Sequence, residues 1–241
     1  MIFSQSNLLN KFSNITYAFT TKDSANLAYH VNDNPLHVEI NHTNLAKELK
    51  YNKDTLIHMK QIHSDLVHIV TKNDNFNNPP TCDALITNKK DTPLMVMVAD
   101  CSPILFYDDK QKVIAVAHAG RQGAFKNIVK NTIDSFIHNF SSDINSLHVA
   151  IGASIGVCCY EVGKEVNYEA KKLGFKFAIE EKESSYFLNI SKILKKQLLD
   201  CGVKKENIEI STECTKCECD KYFSYRANHQ TGRFAGVIKL N

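Results

Sequence analysis

VMVADCSPILF, residues 96–106, holds two apolar runs separated by an acid, a thiol, a serine and a proline. Each run is short and rich in β-formers, as a buried strand should be. The first delivers Asp100 and Cys101 side by side where a strand would ordinarily stop on a simple turn residue. Pro103 has no N–H to give to a ladder, which suits a chain turning out of a sheet. The stretch therefore reads as two buried strands with reactive side chains at the rim between them.

Outward from it, similar runs predict strands over 17–20, 56–59, 66–70, 84–87, 94–99, 104–107, 113–117, 147–151, 175–179, 186–188, 208–211 and 234–240. Phe125, Ile128, Val129, Ile133, Phe136 and Ile137 fall on one helical stripe, predicting a helix over 123–140. Further helices are expected over 164–173 and 190–201, the last stopped by Gly202. The Asn- and Pro-rich segment 71–81 reads as a loop. Strands outnumber helices without strict alternation, which favours an α+β fold with mixed sheets and outer helices over a doubly wound parallel sheet. No repeat or linker interrupts the chain, so residues 1–241 read as one domain.

Composition sets limits on function. The hydrophobic share of 43% is enough for a full core without covalent staples. A net charge of +3 argues against a nucleic-acid partner, which would call for a basic face. The start, MIFSQSNLLNKF, lacks the charged and apolar regions of a secretory signal. Residues 94–99, the longest apolar run, fall far short of the roughly 20 needed to span a bilayer. A cytoplasmic protein with no membrane partner is expected, and its eight cysteines are then thiols or metal ligands rather than disulfides. Of 29 basic residues only Arg121, Arg226 and Arg233 are arginines.

Three metal-capable side chains sit at strand ends or turns: His63, Cys101 and His118. Two imidazoles and a thiolate form a three-ligand set suited to Zn²⁺, with a fourth position left open. On residue chemistry alone, a buried thiol with hydrogen-bonded histidines remains an alternative, as does a metal-free hydrolase with Cys101 as nucleophile and His118 as base. Asp100 has two readings: it orients a ligand, or it accepts from a nearby backbone N–H. Cys214, Cys217 and Cys219 have ligand-like spacing, with His229 as a candidate fourth donor. Cys158 and Cys159 are adjacent, would point apart in a strand, and read as core packing.

QIHSDLV, CDALIT, VADCSPILFYD, VAHAG, IGASIGVCCYEVGKEV, FSYR and TGR occur in that order, and NLAYHVNDNP stands at 26–35. Together these motifs resemble the bacterial purine nucleoside phosphorylase family formerly labelled laccase-domain or polyphenol oxidase proteins. The resemblance runs from about residue 17 to the end. It implies a layered α/β/β/α sandwich and a zinc site made of His63, Cys101 and His118. It also implies substrate-binding roles for Asn26, Arg121, Gln122 and Arg226. The implied partners are a purine nucleoside and inorganic phosphate, and the implied reactions are phosphorolysis and hydrolytic deamination of adenosine. The older label implies copper, but no H-x-H pair of a multicopper oxidase is present. A cell-wall peptide substrate would suit the cysteine hydrolase alternative. The sequence departs from the family at HAGRQG, where the family reads HAGWRG. Gln122 cannot replace the charge of the family arginine, and Arg121 stands one position earlier.

Overall fold

In the computed structural model, which describes residue 1 and residues 3–241, the opening stretch forms two strands that belong to different sheets. The strands are β1 (Ile15–Phe19), β2 (Val67–Ile69), β3 (Ala84–Thr87), β4 (Leu94–Val98), β5 (Ser102–Asp108), β6 (Val113–Ala119), β7 (Leu147–Ile151), β8 (Glu161–Val162), β9 (Ile179–Lys182), β10 (Ser185–Leu188), β11 (Ile208–Ile210) and β12 (Phe234–Leu240). The helices are α1 (Pro35–Glu48), α2 (Arg121–Phe125), α3 (Ile128–Phe140), α4 (Lys164–Lys172) and α5 (Ile190–Asp200). One sheet is antiparallel with order β1-β12-β4. The other is mixed, with order β11-β7-β5-β6-β3-β2 and parallel pairs at both edges. A small antiparallel sheet, β8-β10-β9, stands apart. Residues 99–101 are thus the crossover between the two main sheets.

Period-two alternation assigns each strand residue to a layer. Along β4, Leu94, Val96 and Val98 enter the core between the sheets, with Leu105, Tyr107, Val116 and Phe234 from their partners. Met95 and Met97 face the other way, onto Leu45 of α1 and Leu49 at its end. Along β5, Ile104 and Phe106 face α3 and α5, meeting Val129, Ile133, Phe136 and Leu194. The result is helix, three strands, six strands, helices: the α/β/β/α sandwich that the motifs implied. Each large apolar side chain so buried contributes about 1.5–3 kcal/mol.

Several elements differ from expectation. Residues 56–59 make no strand; Ile57 forms an isolated bridge to Leu94, and the side chain of Gln61 then stands in for backbone. Its amide donates to Met97 O at 2.8 Å and accepts from Met97 N at 3.0 Å. The expected single helix over 123–140 breaks at Asn127, whose φ of 66° is left-handed, into α2 and α3. At 175–179 a 3-10 turn precedes β9, which starts only at Ile179. Helix α1 was not foreseen, because Leu36 and Ile40 point to solvent and its buried face includes His42. Its start does carry a signal: the Asn34 side chain caps Leu36 N, and Pro35 follows. Pro103 lies inside β5 opposite His118, not in the turn, and its carbonyl accepts from Gly152 N. Among the described residues, no helix is long and apolar enough to cross a membrane.

Candidate functional site

Register places the chemistry. In the β5–β6 ladder Ser102 pairs with Ala119 and Pro103 with His118, so Cys101, one residue before β5, arrives beside His118 and Gly120. His63 comes from the loop after the Lys60–Thr81 bridge, in a left-handed conformation with φ 58°. The donor atoms of His63, Cys101 and His118 all lie within 4.8 Å of one another. The two rings are 4.7 Å apart and nearly perpendicular, at 79°. Side chains from three distant segments therefore converge on one point.

Asp83, immediately before β3, organises this convergence. Its Oδ1 accepts from His118 Nδ1 at 2.8 Å and from His63 N at 3.1 Å. Its Oδ2 accepts from Ile62 N, Ser64 N and Ser64 Oγ. A carboxylate only accepts, so Nδ1 of His118 carries a proton, and Nε2 is the atom that could bind a metal once its own proton is displaced. The sequence reading missed Asp83; its one local signal is an acid at the mouth of the apolar run in CDALIT.

The site polarises its own thiol. Burial disfavours a Cys101 thiolate, but the charge of His118 and hydrogen bonds from His118 and His63 outweigh it and lower the thiol to about 6. Burial likewise opposes a charged His118, yet the Cys101 thiolate and the Asp83 carboxylate raise it to about 9. Cys101 is thus held ready as a thiolate, the form that binds metal. Alkylation of Cys101 in chelator-stripped protein is expected to rise with pH through about 6 rather than through the ordinary value of 9.0. Adding zinc should protect it. Peptide mass mapping after iodoacetamide treatment reads both, and a reaction rising only near pH 9 would contradict the geometry.

Gly120 is required by close approach. A Cβ there would stand 2.8 Å from Cys101 Sγ and 3.3 Å from His63 Cδ2. Gly120→Ala is expected to displace both side chains and weaken the binding of added zinc by roughly 10–100-fold, the scale seen when ligand orientation is disturbed. Competition against a chromophoric chelator measures this.

Asp100 accepts from Arg226 N and from Thr215 Oγ1, both at 2.6 Å, and its carbonyl accepts from Ile155 N. Of its two readings the second is observed: it holds the C-terminal loop over the site. Its φ of 85° is a left-handed conformation that Asp adopts with strain.

The cluster opens into a cavity of about 930 Å³. Arg121, Arg226 and Arg233, every arginine of the chain, line it, as do Tyr29, Tyr160 and Tyr225. Arg121 bonds Glu169, Arg226 bonds Glu161 O, and Arg233 bonds Thr231 O and Gly232 O, in each case through Nη1. A guanidinium has five N–H donors, so each keeps others to offer a ligand. Arg226 also stacks on Tyr160, 5.3 Å from the ring centre. Not all the expected binding residues reach this cavity. Gln122 is exposed on α2 and does not line it. Asn26 is buried elsewhere: its amide is used by Ala28, Asp33 and Arg233 N, so it shapes the loop that carries Arg233. At the two positions where HAGRQG departs from the family, then, Arg121 and not Gln122 faces the cavity.

The model of the family described as multi-copper polyphenol oxidoreductase laccase matches residues 12–241. A Corynebacterium glutamicum protein named purine nucleoside phosphorylase is 35% identical over 220 residues, covering 90% of this chain and 87% of its own. A Clostridium acetobutylicum protein of the same name is 36% identical over 201 residues, covering 78% and 79%. Among solved structures, the Bacillus licheniformis hypothetical protein YfiH superposes with a TM-score of 0.90 at 29% identity, over 97% of this chain and 94% of that one. YlmD from Geobacillus stearothermophilus also gives a TM-score of 0.90, at 26% identity over 100% and 99%.

Proposed function

Because this chain belongs to the multi-copper polyphenol oxidoreductase laccase family and its relatives carry the name purine nucleoside phosphorylase, we propose that it is a zinc-dependent purine nucleoside phosphorylase. The observation that carries the reading is the meeting of the His63–Cys101–His118 cluster with all three arginines on one cavity. The donor set fits zinc: two imidazoles, one thiolate already favoured in its charged form, and a side open to the cavity. A centre of several coppers would need more imidazoles than the two in this cluster.

Phosphorolysis asks for an anion holder, a seat for the purine and stabilisation of the charge that grows on the leaving base. Arg121, Arg226 and Arg233 supply guanidinium forks for phosphate. Tyr29, Tyr160 and Tyr225 supply flat faces for a purine. Asp83 fixes the ring of His118, and Asp100 holds Arg226 in place through its backbone. Zinc held by His63, Cys101 and His118 would supply Lewis-acid stabilisation at the floor of the cavity. The same site suits hydrolytic deamination of adenosine, which we include in the proposal, acting in residues 1–241 as one domain in the cytoplasm.

The deciding experiment incubates zinc-loaded protein with adenosine and phosphate and identifies the products. Adenine with ribose 1-phosphate is the expected result. Inosine alone would remove phosphorolysis from the reading and leave deamination. Adenosine recovered intact, with inosine and guanosine likewise intact in parallel incubations, would sink it. Arg226→Ala should raise the KM for phosphate by about 10–100-fold with a smaller change in kcat, since a charge-assisted hydrogen bond contributes about 1.5–3 kcal/mol. An unchanged phosphate KM would take Arg226 out of the anion site.

A further inference from the structure

Outside the His–Cys–His cluster, a second group of thiols converges at the surface. The sulfurs of Cys158, Cys159, Cys214 and Cys217 all lie within 4.8 Å of one another. Cys158 and Cys159 stand 3.6 Å and 3.5 Å from Cys217. The expectation that Cys158 and Cys159 point apart fails because they lie in a turn, closed by Cys159 N donating to Gly156 O, and not in a strand. Cys219 and His229, the other ligand candidates, are not in the group.

We propose that these four cysteines bind one structural zinc ion in a tetrahedral four-thiolate site. At a Zn–S distance of about 2.3 Å, tetrahedral sulfurs are separated by about 3.8 Å, close to the spacings present. A disulfide needs about 2.05 Å, so none of these sulfur pairs is bonded. Thiolates around an iron–sulfur cluster surround a body several atoms wide, whereas sulfurs this close together enclose a single ion.

The backbone points to an anionic sulfur as well. Gly156 N donates to Cys214 Sγ at 3.2 Å, and the N–H groups of Lys216 and Cys217 turn towards the same atom. Gly156 leaves the room: a Cβ there would stand 3.1 Å from Cys158 Sγ and from Cys214 Cβ. Binding is written as Zn²⁺ plus four thiols giving a dianionic tetrathiolate and four protons, with no change of oxidation state.

The ion would join two loops, 155–160 and 214–220, which also meet through the Ser154–Cys214 bridge at their start and the Gly156 N–Cys214 Sγ hydrogen bond. Both loops serve the cavity. Ile155 and Tyr160 line it, and Thr215 donates to Asp100 beside Cys101. The site thus braces the wall that carries Tyr160 and Arg226. The inference is independent of the nucleoside reading.

Zinc content of the purified full-length protein tests it, together with cobalt substitution. Two zinc ions per chain are expected in the wild type, one in Cys101→Ala, one in Cys217→Ser, and none in the double variant. Cys219→Ser should keep two. Cobalt in Cys101→Ala should show the intense thiolate charge-transfer bands of a tetrahedral sulfur site, and X-ray absorption of zinc in that variant should show an all-sulfur shell. Cys101→Ala is the variant that decides if Cys217→Ser fails to fold. A Cys101→Ala protein without zinc, or with a shell containing nitrogen, would overturn the proposal. So would a Cys217→Ser protein that keeps two zinc ions.

Discussion

Cys101→Ala is expected to lower kcat/KM for the nucleoside by about a thousandfold or more while leaving the protein folded. Cys101 Sγ is one of only three donors in the cluster, and the two histidines that remain hold a metal weakly. A Lewis acid supplies several kcal/mol to a transition state, and each 1.36 kcal/mol is a factor of ten, so about 4 kcal/mol corresponds to the loss stated. His118→Ala should match it. Kinetics alone would not separate this reading from the metal-free hydrolase, in which Cys101 is equally indispensable. Chelation does separate them. The zinc enzyme should lose activity on chelation and regain it with added zinc, whereas a Cys101–His118 dyad would keep working without metal. Activity on nucleosides that survives both Cys101→Ala and chelation would remove the cluster from the chemistry.

Asp83→Ala should cost the fold about 4 kcal/mol and the His63–Cys101–His118 cluster its geometry. The carboxylate is fully buried and accepts five hydrogen bonds. Its loss orphans three backbone N–H groups, the Ser64 hydroxyl and His118 Nδ1, and breaking a buried charge pair alone costs about 3–5 kcal/mol. In a chain of this size the melting temperature should fall by about 8–16 °C, at about 2–4 °C per kcal/mol. Asp83→Asn is not benign either. Every group facing the carboxylate is a donor, so the new NH₂ must meet an N–H or O–H. Calorimetry with and without zinc measures the loss. The pH dependence carries a further sign. Burial raises the Asp83 carboxyl, but hydrogen bonds from His118 and Ser64 and the charge of His118 outweigh it and hold the group well below its ordinary 3.8. A depressed carboxyl stabilises fully above its unfolded value and loses that contribution as pH falls through the folded one. The gap between wild type and Asp83→Ala should therefore hold above about pH 4 and shrink below it. A gap that widened with acid would contradict the assigned hydrogen bonds.

Elements held by near neighbours in the chain are legible in the sequence, and those held by distant contacts are not. The runs at 94–98, 104–107 and 113–117 were legible because two-residue alternation is a property of neighbours. The stripe of α3 was legible for the same reason, but the kink at Asn127 was not, since a single left-handed residue leaves the apolar spacing intact. Helix α1 escaped because its contacts with the first sheet use few apolar residues and a buried histidine.

What the sequence determined by itself was chemical type: a thiol and two imidazoles suited to zinc, three arginines suited to an anion, and alternating strands able to carry them. Ordered motifs added the family and the layers. The tertiary structure alone decided which of these groups share a space. Arg121 and not Gln122 faces the cavity, Asn26 serves a loop, and Cys158, Cys159, Cys214 and Cys217 meet while Cys219 does not. Asp83 acquires its importance only when residues 62–64 and 118 fold around it. The reason is physical. Donor strength and charge belong to a side chain, but a metal or phosphate site needs several of them within a few ångströms, and in this chain strand register and loop crossings between segments far apart in sequence bring them together.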